Sequence, residues 1–240
     1  MTDRFADKVV MITGASGNVG HTILEGFASQ GAKLILVDRH PERLQEQIAE
    51  LPIDAADCLP LTADVTDVDD VDRLVQQSLA YFGRIDILVH TVGGFAAGQP
   101  VHEAGIEVWD RMMALNARSV YIVAGRVAQH LIERDQGGKI ITILARNALQ
   151  GTKNAGAYSA SKAAAQRVIE SMSAELRTRG INVNAIMPGN IDTPQNRAAM
   201  PDADYDTWVT TTDIANAVMF LASSEANAIN GASLPVYGCT

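Results

Sequence analysis

The sequence predicts a doubly wound parallel α/β sheet in a single domain that spans residues 1–240. Short, wholly apolar runs alternate with longer segments of helical periodicity along the chain. Apolar runs of this kind are typical of strands buried on both faces of a parallel sheet. The first run leads into a glycine-rich turn and a helix, and no repeat, linker or low-complexity tract interrupts the pattern. We therefore expect one sheet with helices on both faces and right-handed crossovers.

Composition and charge argue against several classes of function. The hydrophobic fraction of 47% and the charged fraction of 20% are typical of a soluble globular protein. A net charge of −9 argues against binding to nucleic acid or to an anionic membrane surface. The N-terminus has no apolar signal segment, and no run reaches transmembrane length. The two cysteines and five histidines are scattered, so we expect a cytoplasmic protein without a metal site.

A phosphate cradle is predicted near the N-terminus. The buried strand Lys8–Ile12 runs into the turn Thr13–Gly20, and a helical pattern follows over His21–Gln30. Glycines let the backbone approach a pyrophosphate, and the helix N-terminus offers free N–H groups and a positive dipole end. The expected cofactor contacts in this turn are Gly14, Ser16, Gly17, Asn18, Val19 and Gly20.

The second strand, Lys33–Val37, is followed by an acidic residue, Asp38. A carboxylate at this strand end can hydrogen-bond the ribose hydroxyls of an adenosine and repels a 2′-phosphate, so NAD(H) is the expected cofactor. Arg39 beside it could bind such a phosphate, which keeps NADP(H) open. Asp38 could instead be a solvated turn acid or cap the next helix, which Pro41 opens.

Two more strands, at Leu59–Leu61 and Ile85–Val89, flank a helix predicted over Val68–Phe82. Thr66 or Asp67 can cap this helix, because both carry a side-chain oxygen just before its first turn.

The ends of these two strands supply further cofactor candidates. Asp64 and Val65 follow the third strand, and Asp64 is a candidate contact for the adenine ring. Gly93 follows the fourth strand, where a glycine lets the backbone pass close to the cofactor ribose. We interpret His90, at the end of that strand, as a packed and hydrogen-bonded histidine rather than a catalyst.

A long helix is predicted over Ile106–Arg134, with Asn116 among its apolar positions. A buried asparagine must find hydrogen-bond partners, so Asn116 is either part of a structural network or holds a water in a proton relay. The fifth strand, Lys139–Leu144, comes next.

Tyr158 and Lys162 lie on the following helix, which is predicted to end near Gly180. Side chains four residues apart share one face of a helix. A phenol with a pKa near ~10 is a poor base at neutral pH, and an ammonium one turn away favours the phenolate. We therefore predict that Lys162 lowers the pKa of Tyr158. The pattern alone also fits a surface pair, and only the rest of the dinucleotide site favours the catalytic interpretation.

The last part of the chain is predicted to cover the site. Residues Asn190–Trp208 form a polar, irregular stretch of the length expected for an active-site lid. The remaining elements are a strand, a helix and a final strand, at Ile181–Met187, Asp213–Ser223 and Ser233–Val236.

Five motifs, in this order, resemble the short-chain dehydrogenase/reductase family from Lys8 to Gly238. They are T-G-A-S-G-N-V-G at 13–20, D-V at 64–65, Asn116, Y-S-A-S-K at 158–162 and P-G-N-I-D-T at 188–193. The resemblance implies a Rossmann-type subunit that binds a nicotinamide cofactor and a small-molecule substrate. It also implies a homodimer or homotetramer that pairs through the two long helices.

The resemblance further implies roles for single residues. Tyr158 is the implied general acid/base, Lys162 binds the ribose and lowers the pKa of the tyrosine, and Asn116 holds a relay water. The implied contacts for the nicotinamide end of the cofactor are Pro188, Gly189, Ile191 and Thr193.

The sequence departs from the family pattern in three places. Asn18 stands where the turn usually has its middle glycine, although asparagine tolerates a left-handed backbone. The usual N-N-A-G after the fourth strand reads H-T-V-G at 90–93. Ala145 stands thirteen residues before Tyr158, where the family has a serine that polarises the substrate carbonyl. Losing one such donor typically costs ~10²–10³ in rate.

Stretches at 92–98, 145–149 and 192–205 resemble the quinonoid dihydropteridine reductases, in which an alanine likewise occupies the serine position. The resemblance implies that NADH reduces a quinonoid pterin with the tyrosine as proton donor. The third stretch could instead be the lid of a broader bacterial subgroup with varied substrates. The candidate substrate contacts are Phe95, Ala145, Arg146 and Trp208.

Two alternatives stay open. A carbonyl or alcohol oxidoreductase, similar to a 3-oxoacyl reductase, could use Arg146, Asn147 or a water in place of the missing serine. A nicotinamide-binding sensor or scaffold that has lost turnover would also tolerate Ala145, although the retained Tyr158 and Lys162 argue against it.

Overall fold

The computed structural model describes residues 4–51 and 53–239, and its centre is a seven-stranded parallel sheet. The strands lie in the order β3-β2-β1-β4-β5-β6-β7, and the predicted fold class is confirmed. The predicted domain limits at residues 1 and 240 lie outside the described residues. The strands are β1 (Val9–Thr13), β2 (Lys33–Asp38), β3 (Cys58–Thr62), β4 (Ile87–His90), β5 (Gly138–Ile143), β6 (Ile181–Pro188) and β7 (Ser233–Val236).

Helices cover both faces of this sheet. Those packed on one face include α1, α2 and α8, and those on the other include α3, α5 and α6. Their bounds are α1 (Asn18–Ala28), α2 (Pro41–Ala49), α3 (Val68–Phe82), α4 (Ile106–Met113), α5 (Ser119–Arg134), α6 (Gly156–Leu176), α7 (Pro194–Ala199) and α8 (Thr211–Ala222).

The two cores follow from the alternation of side chains along each strand. In β1, Val9 and Met11 join the core under α3, α5 and α6, whereas Val10 and Ile12 join the core under α1 and α8. Because the strand is buried on both faces, its sequence is a continuous apolar run rather than an alternating one.

The glycine-rich turn is shorter than predicted. Helix α1 begins at Asn18, three residues before the predicted start at His21. Gly14 supplies the left-handed backbone, with a φ of 72°, and Asn18 is helical. The turn forms without a left-handed residue at position 18, so the tolerance of asparagine for that conformation is not used.

The long helix predicted over Ile106–Arg134 is a continuous helical run with a defect in its middle. Residues Ala114–Arg118 form a π-helical turn between α4 and α5, and this turn contains Asn116. A π-turn holds one extra residue, and such turns often occur at functional sites.

The predicted lid is more regular than expected. It contains the short helix α7, which Thr193 caps by accepting a hydrogen bond from the amide of Asn196, and a 3₁₀ turn at Tyr205–Thr207. Among the described residues, no helix is both long and apolar enough to cross a membrane.

Candidate active site

A cleft of about 410 Å³ opens at the carboxyl ends of β1, β2 and β4. Strand order reverses between β1 and β4, and in open parallel sheets ligands bind at such a switch point. The predicted cofactor residues that line the cleft are Gly14, Ser16, Gly17, Asn18, Val19, Gly20, Asp38, Arg39, Asp64, Val65, Gly93 and Thr193.

The glycine-rich turn presents the N-terminus of α1 to this cleft. The N-cap residue, Gly17, has no side chain that could accept a hydrogen bond from the first-turn amides. These amides and the positive end of the helix dipole suit a phosphate group. The turn is tied to the lid, because the side-chain amide of Asn18 donates to Oε1 of Gln195 over 2.7 Å.

Asp38 has both a structural and a cleft-facing role. One carboxylate oxygen accepts the amide of Ser16 and the other accepts the amide of His40, each at 3.1 Å. Asp38 thus fixes the glycine-rich turn against the start of α2. Its neighbour Arg39 and the residue one helical turn later, Arg43, also line the cleft, so both charge signs are present where a ribose would lie.

Asp64 is held by its own turn. Its side chain accepts hydrogen bonds from the amide and the hydroxyl of Thr66, at 2.9 and 2.7 Å. The Thr66 hydroxyl and amide hold the pKa of Asp64 below its ordinary value, so the carboxylate stays charged at the cleft. Of the two predicted caps of α3, the structure uses Asp67, which accepts the amide of Asp70.

Residues of the H-T-V-G sequence at 90–93 form hydrogen bonds to the glycine-rich turn and to the end of β1. The hydroxyl of Thr91 donates to the carbonyl of Thr13 over 2.7 Å. His90 is fully buried between the hydroxyls of Thr13 and Ser119, at 2.9 and 3.1 Å. Burial lowers its pKa to about 3, and the charge of Lys162 adds to this, so His90 is neutral at physiological pH. This geometry agrees with the interpretation of His90 as a packed histidine.

Lys162 lies on α6 beside Gly93, a residue of the cleft, but neither Lys162 nor Tyr158 is among the residues that line the cleft. The side chain of Lys162 is buried, and its ammonium donates to the carbonyl of Ile143 over 3.1 Å. A Cβ atom built on Gly93 would stand 3.1 Å from Nζ of Lys162 and 2.9 Å from Oδ1 of Asn116. A side chain at position 93 would therefore have to displace one or both of these groups. Burial lowers the pKa of Lys162 to about 8.

Asn116 is part of a hydrogen-bond network. Its Oδ1 accepts the amide of Gly94 at 2.9 Å, and its Nδ2 donates to the carbonyl of Gly94 and to the hydroxyl of Ser161, at 3.0 and 2.9 Å. Both amide protons are therefore used within the chain, and one lone pair of Oδ1 remains for a water. The network joins the π-turn, the loop after β4 and helix α6.

Tyr158 lies one helical turn from Lys162, with Phe95 against it. The two rings meet edge to face, with centroids 4.9 Å apart. Burial raises the pKa of Tyr158 to about 12. The predicted lowering of this pKa is wrong for the chain by itself, because the loss of water around the phenol disfavours the phenolate.

The remaining substrate candidates are spread around this centre. Ala145 is buried at the end of β5 and offers no hydroxyl, and exposed Arg146 lies with its guanidinium 5.2 Å from the ring centroid of Tyr237. Trp208 is only 7% exposed and packs against Tyr205, which leaves it little surface for a substrate.

The segment after β6 reaches the cleft through Thr193. Its buried hydroxyl accepts the amide of Asn196 and keeps its own proton for a ligand. Pro188, Gly189 and Ile191 are not among the residues that line the cleft. Their backbone is fixed instead: Gly189 donates to the carbonyl of Val236, and Ile191 forms a bridge with Val209.

Several residues of the site were missed from the sequence. Ser161 lies within the Y-S-A-S-K motif, but no spacing rule connects it with Asn116, which is 45 residues earlier. Cleft residues that were not predicted as contacts are Val37, His40, Arg43, Ala63, Thr66, Thr91, Val92 and Leu115.

Titratable side chains in the described part of the chain form no cluster of three or more histidine, cysteine or acidic residues that could hold a metal ion.

Comparison with known proteins places this geometry in context. The family described as short chain dehydrogenase matches residues 8–204. The chain is 30% identical to 2,5-dichloro-2,5-cyclohexadiene-1,4-diol dehydrogenase of Sphingobium indicum, over 99% of this chain and 98% of the relative. It is 31% identical to 2-dehydro-3-deoxy-D-gluconate 5-dehydrogenase of Escherichia coli, over 96% and 94%. The crystal structure of carveol dehydrogenase from Mycobacterium avium in complex with NAD superimposes with a TM-score of 0.88 at 27% identity, over 98% of each chain.

Proposed function

The chain belongs to the short-chain dehydrogenase family of oxidoreductases, and from this premise we propose that Tyr158 is its proton-transferring residue and NAD(H) its preferred cofactor. The observation that carries the proposal is the position of Lys162. Its ammonium lies beside Gly93, one helical turn from Tyr158. This arrangement supports the proposal, because it puts a cation beside a residue of the cleft and one helical turn from the phenol.

The residues of the cleft fit a dinucleotide. The uncapped amides of α1 can bind the pyrophosphate, and Asp38 can hydrogen-bond the adenosine ribose. Gly93 has no side chain and so leaves room for the second ribose. When bound, the nicotinamide of such a cofactor supplies the hydride.

In the direction of reduction, Tyr158 donates the proton that accompanies the hydride. Because burial raises its pKa to about 12, the phenol holds its proton at neutral pH and is ready to act as an acid. Lys162, with a pKa of about 8, is mostly charged at neutral pH and stabilises the phenolate that forms.

We further propose that the substrate is a conjugated ring of the quinonoid dihydropteridine class. Ala145 supports this class, because such a ring accepts hydride without a hydroxyl that polarises a carbonyl. Phe95 supports it as well, since its flat ring is 69% exposed next to Tyr158 and can pack against a planar substrate.

A second candidate is oxidation of an alcohol or reduction of a ketone. It is favoured by the relatives, whose names describe dehydrogenases of a diol and of a sugar acid. Asn147 is a poor substitute for the missing serine, because its amide already donates to Thr152 and Ser159. Arg146 is exposed and is the donor that this candidate would use.

The choice of NAD(H) rests on Asp38, whose charge lies in the cleft where a 2′-phosphate would have to fit. Arg39 and Arg43 oppose this preference, since either guanidinium could pair with that phosphate. Binding of NADH and of NADPH, measured by fluorescence titration, decides between them. Tighter binding of NADPH would show that the two arginines outweigh Asp38.

One assay tests the chemistry. The enzyme and NADH are mixed with quinonoid dihydropterin, with a diketone and with a keto sugar acid, and the loss of NADH absorbance is followed. We expect turnover of the pterin, and a loss of at least ~10² in rate for Tyr158→Phe, which keeps the ring and removes the proton. Wild-type rates retained by Tyr158→Phe would contradict the proposed role of the phenol.

Ala145→Ser separates the two substrate classes in the same assay. A serine that restores a carbonyl donor should raise ketone turnover by roughly 10-fold or more and leave pterin turnover unchanged. Turnover of ketones but not of pterin by the unmodified enzyme would favour the second candidate. Saturable NADH binding without turnover of any of these substrates would count against both and support a binding protein.

A further inference from the structure

A second and larger cavity lies at the amino ends of the strands, whereas the cofactor cleft lies at their carboxyl ends. This amino-edge pocket has a volume of about 730 Å³ and is lined by residues that precede or begin β1, β4, β5 and β6. Residues at the ends of α5, α6 and α8 complete it. No residue of the proposed active site lines it.

The charge of the amino-edge pocket is opposite to that of the chain. The protein carries a net charge of −9, yet five of the side chains that line this pocket are basic and one is acidic. The basic side chains belong to Lys8, Arg84, Arg134, Lys139 and Arg177, and the acidic one to Asp86.

Asp86 neutralises only part of this charge. Its carboxylate accepts the amide of Val9 at 2.8 Å, Nε of Arg84 at 3.0 Å and Nη1 of Arg134 at 2.5 Å. Within residues 4–51 and 53–239, no carboxylate lies within 4.0 Å of the cationic groups of Lys8, Lys139 or Arg177. Three cations therefore face the pocket without a counter-ion.

Two donors in the pocket, of which one is buried, are also incompletely matched. Nε of Arg134 is buried and has no acceptor, although the two other nitrogens of its guanidinium donate to Asp86 and Gly137. The ammonium of Lys139 donates only to the neutral amide oxygens of Asn182 and Asn227, both at 2.7 Å. An anion would give these groups the partner that the chain does not.

Helix dipoles explain part of this cluster but not all of it. Arg134 lies in the last turn of α5 and Arg177 directly follows α6, where a cation offsets the negative end of a helix. Lys8 and Lys139 belong to strand ends, where no helix dipole requires a cation. The positive charges of Lys8 and Lys139 are therefore free to attract an anionic ligand.

We propose that the amino-edge pocket binds a small anion with several phosphate charges, at a site separate from the cofactor cleft. The volume exceeds the needs of one phosphate group, and the cations lie on several elements around one cavity rather than on one surface. Such a site would couple the concentration of a phosphate compound to the stability of the sheet edge.

The test uses inorganic pyrophosphate as the probe, titrated calorimetrically into the full-length protein at constant ionic strength. The double variant Lys8→Gln/Arg177→Gln removes two exposed cations of the pocket and no buried contact. The control Arg73→Gln/Arg167→Gln removes two cations from the outer faces of α3 and α6. Each titration is repeated with saturating NADH, because pyrophosphate can also bind the glycine-rich turn.

We expect the wild type and the control to bind pyrophosphate with and without NADH, and the Lys8/Arg177 variant to bind it at least roughly tenfold more weakly. Equal binding by both double variants would overturn the proposal, as would binding that NADH abolishes. Absence of binding to the wild type at millimolar pyrophosphate would overturn it too. If NADH itself does not bind, the proposed cofactor is wrong. The comparison of the two double variants still tests the anion site in that case.

Discussion

Burial disfavours the charged forms of both Tyr158, which is half-buried, and Lys162, which is buried. Desolvation raises the pKa of the phenol to about 12 and lowers that of the ammonium to about 8. Sequence spacing placed the two residues on one helix face, but it could not reveal how far burial shifts their pKa values. These shifts depend on the residues that pack around α6 from other strands and loops.

The two shifts predict a distinct dependence of stability on pH. For Lys162 the folded pKa lies below the unfolded value of 10.5, so between pH 8 and 10.5 the unfolded state binds more protons. The free energy of unfolding should therefore rise with pH over this window, by at most about 3 kcal/mol from this residue. For Tyr158 the folded pKa lies above 10, so its contribution is present below pH 10 and is lost towards pH 12.

Urea denaturation from pH 7 to 10 measures this effect. Lys162→Met should reduce the rise in the free energy of unfolding, because methionine keeps the apolar stem and has no proton to lose. Lys139, whose pKa burial also lowers, keeps part of the rise. Lys153→Met, at an exposed lysine, should leave the rise in place. Parallel curves for the wild type and Lys162→Met would show that Lys162 is solvated in the folded protein.

At the scale of elements, the π-turn between α4 and α5 contains Asn116, whose side chain hydrogen-bonds two other parts of the chain. A long helix was predicted from the helical pattern of Ile106–Arg134, which contains no proline. The π-turn at Ala114–Arg118 accompanies contacts of Asn116 with Gly94 and Ser161, which come from other parts of the chain. Local periodicity therefore predicted the helix and could not predict its defect.

Asn116→Ala tests how far this network holds the elements together. The variant leaves the amide and carbonyl of Gly94 and the hydroxyl of Ser161 without their partner in a region shielded from water. We expect it to lower the free energy of unfolding by about 2 kcal/mol. Ser161→Ala removes one of the three bonds and should cost about 1 kcal/mol.

The same denaturation curves give the control, since Asn147→Ala removes an amide bound to Thr152 and Ser159 outside the network. Its effect should be smaller than that of Asn116→Ala. Equal stability of Asn116→Ala and the wild type would mean that water replaces the side chain at no cost. Asn116 would then hold no elements together.

At the scale of the molecule, alternation of strands and helices was enough to predict the fold class. The order of strands was not predicted, because it is set by long-range pairing such as that of β1 with β4. The cleft nevertheless fell where the motifs indicated, since the turn after β1 and the residues after β2 and β4 meet at one sheet edge. The basic pocket at the other edge had no motif, because its cations come from five separate segments.

The outer faces of α5 and α6 are where we propose that two subunits pair. Tyr121 is 70% exposed there, and a groove of about 570 Å³ runs between the two helices past Val168 and Met172. A Cβ on Gly125 would contact nothing within 4 Å of its own chain. Gly125→Arg is therefore compatible with the folded subunit and would obstruct a second subunit on this face.

Light scattering after gel filtration tests this pairing. The wild type should have a mass of at least two 25.6 kDa chains, and Gly125→Arg should shift it towards one chain with an unchanged circular dichroism spectrum. Gly151→Arg is the matched control, because Gly151 also faces open space but lies in a loop. A wild type of one chain, or a Gly125→Arg protein with the mass of the control, would place the interface elsewhere or exclude it. A mass that falls only for Gly125→Arg would locate the contact on α5, because the two variants add the same charge and volume at different faces.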